Sequence, residues 1–547
     1  MGEGFVPWPA EFADRYREAG YWEGGPLADR LRDWAQRYGA ATALVGGPPG
    51  APVRRSYAEL DEAVDDLAAG LAGLGLGAGD RVVLHLPNRI EFVTLLFALL
   101  RLGAIPVLTL PAHRRVEIEH LARLSGAVAY AIPDRHEGFD HRVLAGEIVA
   151  AVPSIRHVLV AGDAGASTAF TGLAGLAAAG AAARGGRPVT SPEPVDPAGV
   201  AVLLISGGTT GKPKLIARTH WDYAYNAAAS ARLCGLSGSD VYLVALPAAH
   251  NFPLACPGLL GAFGVGATVV LACAPSPEIA FELIARERVT VTALVPALAR
   301  IWVTAAGWEG PDTTSLRLLQ VGGAKLDEAL ARQIRPVLGA AVQQVFGMAE
   351  GLLNYTRLDD GDELACTSQG RPLAAADEIR VVDEDGLDVP AGATGELWTR
   401  GPYTIRGYYR AAEHNATAFT PDGYYRTGDL VRRTAEGNLV VEGRIKDVIN
   451  RSGENVSATE LEEHLLAHRA IVQAAVIAAA DEQLGESVRA VVVLGAGESI
   501  KLKNVKTYLR ERGLARFMLP DLLTVVDELP LTAIGKIDKR ELRRRFG

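Results

Sequence analysis

The run Val202-Leu-Leu-Ile-Ser-Gly-Gly-Thr-Thr-Gly-Lys-Pro-Lys214 sets an apolar strand pattern directly ahead of glycines, hydroxyls and lysines. Gly207, Gly208 and Gly211 let backbone N–H groups turn toward an anion, Ser206, Thr209 and Thr210 add hydroxyl donors, and Lys212 or Lys214 adds charge. Such a loop could cradle a triphosphate. It departs from the Gly-x4-Gly-Lys-Ser/Thr pattern of kinases and motors, because Pro213 stands where the magnesium-binding hydroxyl belongs. Taken alone, it also reads as a glycine-rich turn closing a buried strand.

A second stretch raises a different question. His250-Asn251-Phe252-Pro253-Leu254-Ala255-Cys256 lies inside 37 residues, Val241 to Pro277, without one Asp, Glu, Lys or Arg. Length alone would span a bilayer, which takes roughly 20 apolar residues. Five prolines (247, 253, 257, 275, 277) and the polar His250 and Asn251 argue for buried helix and strands instead. His250 has no second ligand nearby in sequence and Cys256 no evident base, so a metal site and a thiol nucleophile are the weaker readings. The wall of a pocket for an uncharged ring is the stronger one.

The string ISGGTTGKPK resembles the phosphate loop of the adenylate-forming superfamily, which includes acyl-CoA synthetases, luciferases and nonribosomal peptide adenylation domains. Its double glycine is similar to the branch that activates aryl acids. QQVFGMAEG (Gln343 to Gly351) resembles the motif whose glutamate holds Mg²⁺, which implies that role for Glu350 and places Val345, Phe346, Gly347, Met348, Ala349 and Gly323 beside ATP. YYRTGDL resembles the segment whose aspartate binds the ribose hydroxyls, implying Asp429. GRIKDVI is similar to the domain hinge, with Arg444 near the nucleotide and Lys446 at the pivot, and LTAIGKIDKREL to the last motif, with Lys536 as a mobile catalytic lysine. Read alone, that basic tail is a solvated face. Ala349 departs from the threonine common before the glutamate, so Thr209 or Thr210, the latter as a further Mg²⁺ ligand, must supply the missing contact.

The strings PWPAEF, AGYW, LPNRIEF and IPVLTLPAHR resemble aryl acid-AMP ligases of siderophore pathways, which act on salicylate or 2,3-dihydroxybenzoate. By the same resemblance His250 lies near the adenylate. Amino-acid-activating relatives carry an aspartate for the substrate ammonium where this chain has Asn251, and a neutral amide suits an ortho hydroxyl instead. Phe252, Gly322, Gly323 and Leu353 are expected to line a flat slot, the glycines admitting the ring face. Cys256 stands where dihydroxybenzoate enzymes carry serine, and a thiol is a weak partner for a second hydroxyl. Cys256 and Leu353 thus favour salicylate. The resemblance implies transfer of the activated acid to the phosphopantetheine thiol of an aryl carrier protein on a separate chain. 2,3-Dihydroxybenzoate as substrate, free coenzyme A as acceptor and a non-catalytic nucleotide-binding protein remain the alternatives.

Elements that would position these residues follow from the patterning. SYAELDEAVDDLAAGLAGLG and EFVTLLFALLRLG read as helices around the strand DRVVLHLP, and further strands are expected at Arg156 to Val160, Val200 to Ile205, Ala267 to Leu271, Val289 to Val295 and Leu318 to Val321. Such alternation implies a doubly wound, mostly parallel α/β architecture. The Ala/Gly-rich segment Ala161 to Pro192 reads as a surface excursion. About residues 370–441, short alternating strands with Gly and Asp turns suggest a β-rich subdomain. After GRIKDVI, a capping pattern at Ser457 opens ELEEHLLAH, followed by a strand pair and the helix LKNVKTYLRERG. The expected division is a large domain over 1–445 and a small mobile α+β domain over 446–547.

Bulk properties narrow the function further. With 55 Lys plus Arg against 64 Asp plus Glu, a formal charge of −9 and a pI near 5.8, an electrostatic grip on nucleic acid or anionic lipid is disfavoured. Four cysteines without C-x-x-C spacing fit a reducing cytoplasm rather than a zinc or disulfide framework. The acidic, proline-broken start does not read as a signal peptide.

Overall fold

A computed structural model describes residues 4–48, 50–191, 193–206, 213–451, 454–481, 485–512, 514, 516–532 and 535–547. Two large sheets organise the first 370 residues. The nine-stranded sheet has six parallel strands at its heart, in the order Ala341–Gly347, Leu318–Gly322, Val291–Leu294, Val241–Val244, Thr268–Leu271 and Thr42–Gly46, with antiparallel strands at both edges. Their residues are buried almost without a break, the Val/Leu/Ile pattern of strands covered on both faces. The seven-stranded sheet runs Leu215–Thr219, Val200–Ile205, Ile105–Leu108, Arg81–Leu84, Ala129–Pro133, His157–Ala161 and Phe170–Gly172.

The helix Ile90–Arg101 explains how the sheets share one core. Phe92, Val93, Leu95, Leu96, Phe97 and every residue from there to Arg101 are buried, so it is apolar on all sides as an interior helix must be. Asn88, just before it, donates to the carbonyls of Val244, Leu246 and Ala272 and accepts from the Ala248 N–H. That clasp fixes the strand ends leading into His250.

The uncharged run folds as two short helices, Asn251–Ala255 and Gly258–Gly264, between the strands Val241–Val244 and Thr268–Leu271. Among the described residues no helix is long and apolar enough to cross a membrane. The segment Ala161 to Pro192 differs from the sequence expectation. It contains the strand Phe170–Gly172 and the helix Leu173–Arg184, which packs against the helix Tyr57–Gly73. A Cβ at Gly180 would stand 1.9 Å from the Asp66 carbonyl, and one at Gly70 2.2 Å from the Leu176 carbonyl. The small residues that read as low complexity are what lets two backbones touch.

Strands Glu378–Val382, Thr394–Arg400, Tyr425–Arg433 and Leu439–Arg444 form an antiparallel meander. A 3₁₀ turn, Ile445–Asp447, then leads into a five-stranded sheet carrying the helices Ala458–Leu466, Leu502–Glu511 and Lys539–Phe546. The Ser457 hydroxyl caps the first of these by accepting from the Glu460 N–H. Two ion pairs seat the last helix, Lys539 with Glu462 at 2.7 Å and Arg543 with Asp447 at 2.6 Å.

Candidate functional site

Strand ends and the turns after them bring charged residues into the interior from distant parts of the chain. Glu350 sits in the turn between Ala341–Gly347 and Leu353–Tyr355, and is buried. Its Oε1 accepts from the Tyr408 hydroxyl at 2.7 Å, and the Tyr408 and Tyr425 hydroxyls are 2.9 Å apart. The Lys214 ammonium stands 5.6 Å from the centre of the Tyr408 ring. Ser206, at the end of Val200–Ile205, pairs back to Lys214 through both its N–H and its hydroxyl. Gly207, Gly208, Thr209, Thr210, Gly211 and Lys212 lie outside the described residues.

Asp429, also buried, accepts from Arg444 Nε at 2.7 Å across the strand pair that joins them. Lys446 is exposed in the 3₁₀ turn two residues on. Lys536 comes from the far end of the chain to lie against Gly323, where a Cβ would stand 3.0 Å from the lysine Cε. Gly323 adopts φ +85°, so it meets both a backbone and a space requirement that a larger residue fails. Burial pushes the Lys536 ammonium down to about 8, with Arg444 adding to the shift and Asp429 and Glu350 opposing it. Lys325 and Glu463 pair at 2.7 Å, a second tie between the residues before the 3₁₀ turn and those after it.

His250 caps the helix Asn251–Ala255, its Nδ1 accepting from the Phe252 N–H at 3.2 Å. Burial, reinforced by the Lys536 charge, lowers it to about 3. The imidazole is therefore neutral at working pH, with its proton on Nε2. Asn251 is held on both ends of its amide: Oδ1 accepts from the Tyr223 hydroxyl at 2.9 Å, and Nδ2 donates to Cys256 Sγ at 3.4 Å. Cys256 in turn donates to the Asn251 carbonyl at 3.4 Å, and burial pushes its thiol up to about 12, so it stays protonated. A thiolate nucleophile is not available here.

Phe252 packs on Gly322, where a Cβ would lie 3.1 Å from the ring Cζ and 2.5 Å from the Val345 carbonyl. The room at Gly322 is thus filled by Phe252 itself. Gly347 receives Leu353, whose Cδ2 would be 2.3 Å from an added Cβ. Leu353 is buried and its N–H donates to the Tyr403 hydroxyl. Phe346 and Met348 pack with Leu352 in the cluster beneath the meander, and Ala349 presents its carbonyl to Arg218 Nη1 at 3.0 Å. Among the described residues no three His, Cys, Asp or Glu side chains gather as metal ligands.

Several residues that shape the site were not singled out in the sequence. Tyr223 holds Asn251 and Asn226 holds the Ala255 carbonyl, and Tyr408 and Tyr425 orient Glu350. Arg218 and Asp222 did carry a signal. ARTHWDY has arginine and aspartate at i,i+4 and a Thr-x-x-Asp capping box, both seen in the structure. The tyrosines act across separations of 17 to 58 residues and carry no local signature.

Comparison with known proteins adds context to this geometry. A model of the AMP-binding enzyme family matches residues 31–409, and one of the AMP-binding enzyme C-terminal domain matches residues 460–536. A salicyl-AMP ligase / salicyl-S-ArCP synthetase of Mycobacterium tuberculosis is 53% identical, covering 100% of this chain and 95% of its own. A 2,3-dihydroxybenzoate-AMP ligase of Bacillus subtilis is 50% identical over 99% of this chain and 98% of its own. Among solved structures, apo MbtA of Mycobacterium smegmatis is similar at a TM-score of 0.76 and 52% identity, over 99% of each chain. ATP-bound MatB of Rhodopseudomonas palustris is similar at 0.83 and 26% identity, over 95% of this chain and 98% of the other.

Proposed function

The chain belongs to the family of AMP-binding enzymes, and from that premise we propose that it uses ATP to convert salicylate to salicyl-AMP. It then passes the salicyl group to the phosphopantetheine thiol of an aryl carrier protein, in siderophore assembly in the cytoplasm. The observation that carries this reading is the neutral wall of Asn251, Phe252 and Cys256 next to the buried carboxylates of Glu350 and Asp429 and the half-buried Lys536. An uncharged hydroxylated ring fits the first set and a nucleotide fits the second.

The chemistry asks little of acids and bases. A carboxylate oxygen attacks the α-phosphorus, the new P–O bond forms as the bond to pyrophosphate breaks, and pyrophosphate leaves without prior protonation. Rate comes from positioning and from neutralising charge. Lys536 bridges the acid and the α-phosphate, while the neutral His250 donates from Nε2 where carboxylate and phosphate meet. Asp429 and Arg444 take the ribose side, with Gly323, Val345 and Phe346 alongside. Ser206, Lys214 and the loop of Gly207, Gly208, Thr209, Thr210, Gly211 and Lys212 take the phosphates.

A single carboxylate, Glu350, oriented by Tyr408, suits a magnesium ion that arrives with the triphosphate rather than one caged by protein. Glu350, with Thr210 as a further ligand, would hold it. When bound, the ion supplies neutralisation of the phosphate charge.

Lys536 at the acid group obstructs an incoming thiol. Rotation of the C-terminal domain about Lys446 removes it, at the cost of breaking the Lys325–Glu463 pair. Because Lys536 loses its proton as pH rises through about 8, kcat/KM for adenylation should be level below that value and fall about tenfold per pH unit above it. A pH series of pyrophosphate release checks the descending limb.

Incubation with ATP, Mg²⁺ and salicylate, followed by mass spectrometry, should show salicyl-AMP on the enzyme. Offered either coenzyme A or a phosphopantetheinylated aryl carrier protein, the enzyme should discharge the adenylate faster to the carrier. Equal or faster discharge to coenzyme A would replace the carrier reading with an aryl-CoA ligase, and no adenylate with any aryl acid would end both.

A further inference from the structure

Among the described residues Arg218 is the largest charged side chain that water does not reach, and adenylation chemistry as described above makes no use of it. It lies on the strand Leu215–Thr219 and spreads its guanidinium over three partners. Nε donates to Asp222 Oδ1 at 2.6 Å, Nη1 to the Ala349 carbonyl at 3.0 Å, and Nη2 approaches Asn226 Oδ1 at 3.5 Å. The guanidinium also stacks 4.8 Å from the centre of the Tyr223 ring. Asp222 is itself locked, its other oxygen accepting from the Thr219 N–H and hydroxyl.

Each arm leads to a different half of the site. Ala349 is the peptide unit directly before Glu350, so Nη1 sets the turn that presents that carboxylate. Asn226 donates to the Ala255 carbonyl at 2.6 Å and reaches Cys256 Sγ at 4.0 Å, while Tyr223 holds Asn251. A buried planar fork with fixed partners transmits position, because none of its contacts can slacken without leaving a polar group unpaired.

We propose that Arg218 is a positioning residue that couples the aryl slot to the magnesium-nucleotide side, so that each ligand tightens the binding of the other. The inference rests on the reading of an aryl acid-AMP ligase. Occupancy that firms the floor at Cys256 and Asn251 firms the Ala349–Glu350 turn through one guanidinium. Coupling of this kind is reciprocal.

The decisive variant is Arg218→Lys, which keeps the charge beside Asp222 but cannot serve three partners at once. Asn226→Ala removes the hydrogen-bonded slot-side link, leaves the Tyr223 stacking, and spares the ion pair. Titration calorimetry on the full chain would measure affinity for α,β-methylene-ATP, whose bridging carbon blocks adenylation, with and without Mg²⁺, and salicylate affinity with and without Mg²⁺ and this analogue. Wild type should show mutual tightening of about tenfold. Arg218→Lys should abolish that tightening and weaken the Mg²⁺ enhancement of analogue binding, and Asn226→Ala should reduce the tightening with the Mg²⁺ enhancement intact. Coupling and Mg²⁺ enhancement within twofold of wild type in Arg218→Lys overturn the proposal, as does a loss of active fraction with unchanged affinities, which marks a structural role alone. If the wild-type enzyme binds no aryl acid, the functional reading fails. The analogue titrations then judge Arg218 separately, and an unaltered Mg²⁺ enhancement in Arg218→Lys overturns its link to Glu350.

Discussion

Replacing Lys536 with alanine is expected to slow formation of the aryl adenylate by about 10² to 10³, the loss of about 2.7–4 kcal/mol typical of removing one preorganised charge from a developing anion. The half-buried side chain lies against Gly323, with Asp429 and Glu350 close enough to raise its affinity for a proton. Alanine keeps the backbone of the Gly535 turn and removes a group that is not part of the core, so stability should change little. The effect should fall on kcat rather than on ATP affinity if the lysine acts mainly in the transition state. The second half-reaction provides an internal control. Given synthetic salicyl-AMP and carrier protein, the variant should transfer the acyl group at close to the wild-type rate, because the lysine must leave before the thiol enters. Single-turnover measurements of the two steps check this directly. An equal loss in both would mean that Lys536 supports the whole fold of the site.

Asn251→Asp is expected to reduce kcat/KM for salicylate by about 10² near pH 8, and to do so without unfolding the protein. The substitution is isosteric, and aspartate still accepts from the Tyr223 hydroxyl. What changes is charge. A second carboxylate beside the bound acid, in a wall with no cation among its own residues, forces one of the two to take up a proton. That costs about two pKa units of work. Burial and the neighbouring acid both raise the new carboxyl, so the defect is present above its pKa and shrinks as pH falls through it. A KM for salicylate that rises with pH in the variant and not in the wild type is the signature. An unchanged KM would show that residue 251 does not face the ring.

Much of the scaffold could be read from residue patterning. The strands at 200–205 and 318–322 and the helices over 57–73 and 90–101 announce themselves by apolar runs closing on glycine or proline, a local and redundant signal. The helix Leu173–Arg184 escaped because its contacts depend on smallness rather than hydrophobicity. The site divides in the same way. Glu350, Asp429, Lys536 and His250 stand in short motifs resembling those of the adenylate-forming superfamily, and the fold brings them to one buried locus although 286 residues separate the first and last in sequence. Their supports are long-range. Tyr408 reaches Glu350 across 58 residues and Arg218 reaches Ala349 across 131, and nothing in a single sequence marks such pairs. Gly322 shows a further limit, since glycine promises space without saying that Phe252 will occupy it.

On the proposed reading, the charge-free wall of Asn251, Phe252 and Cys256 selects an ortho-hydroxylated aromatic acid for adenylation. ATP–pyrophosphate exchange across salicylate, 2,3-dihydroxybenzoate, benzoate, anthranilate and 3-hydroxypicolinate measures that selection in one experiment. Salicylate should lead the next acid by about tenfold in kcat/KM, or about 1.4 kcal/mol. A level profile across the panel, or exchange driven by an amino acid instead, would contradict it.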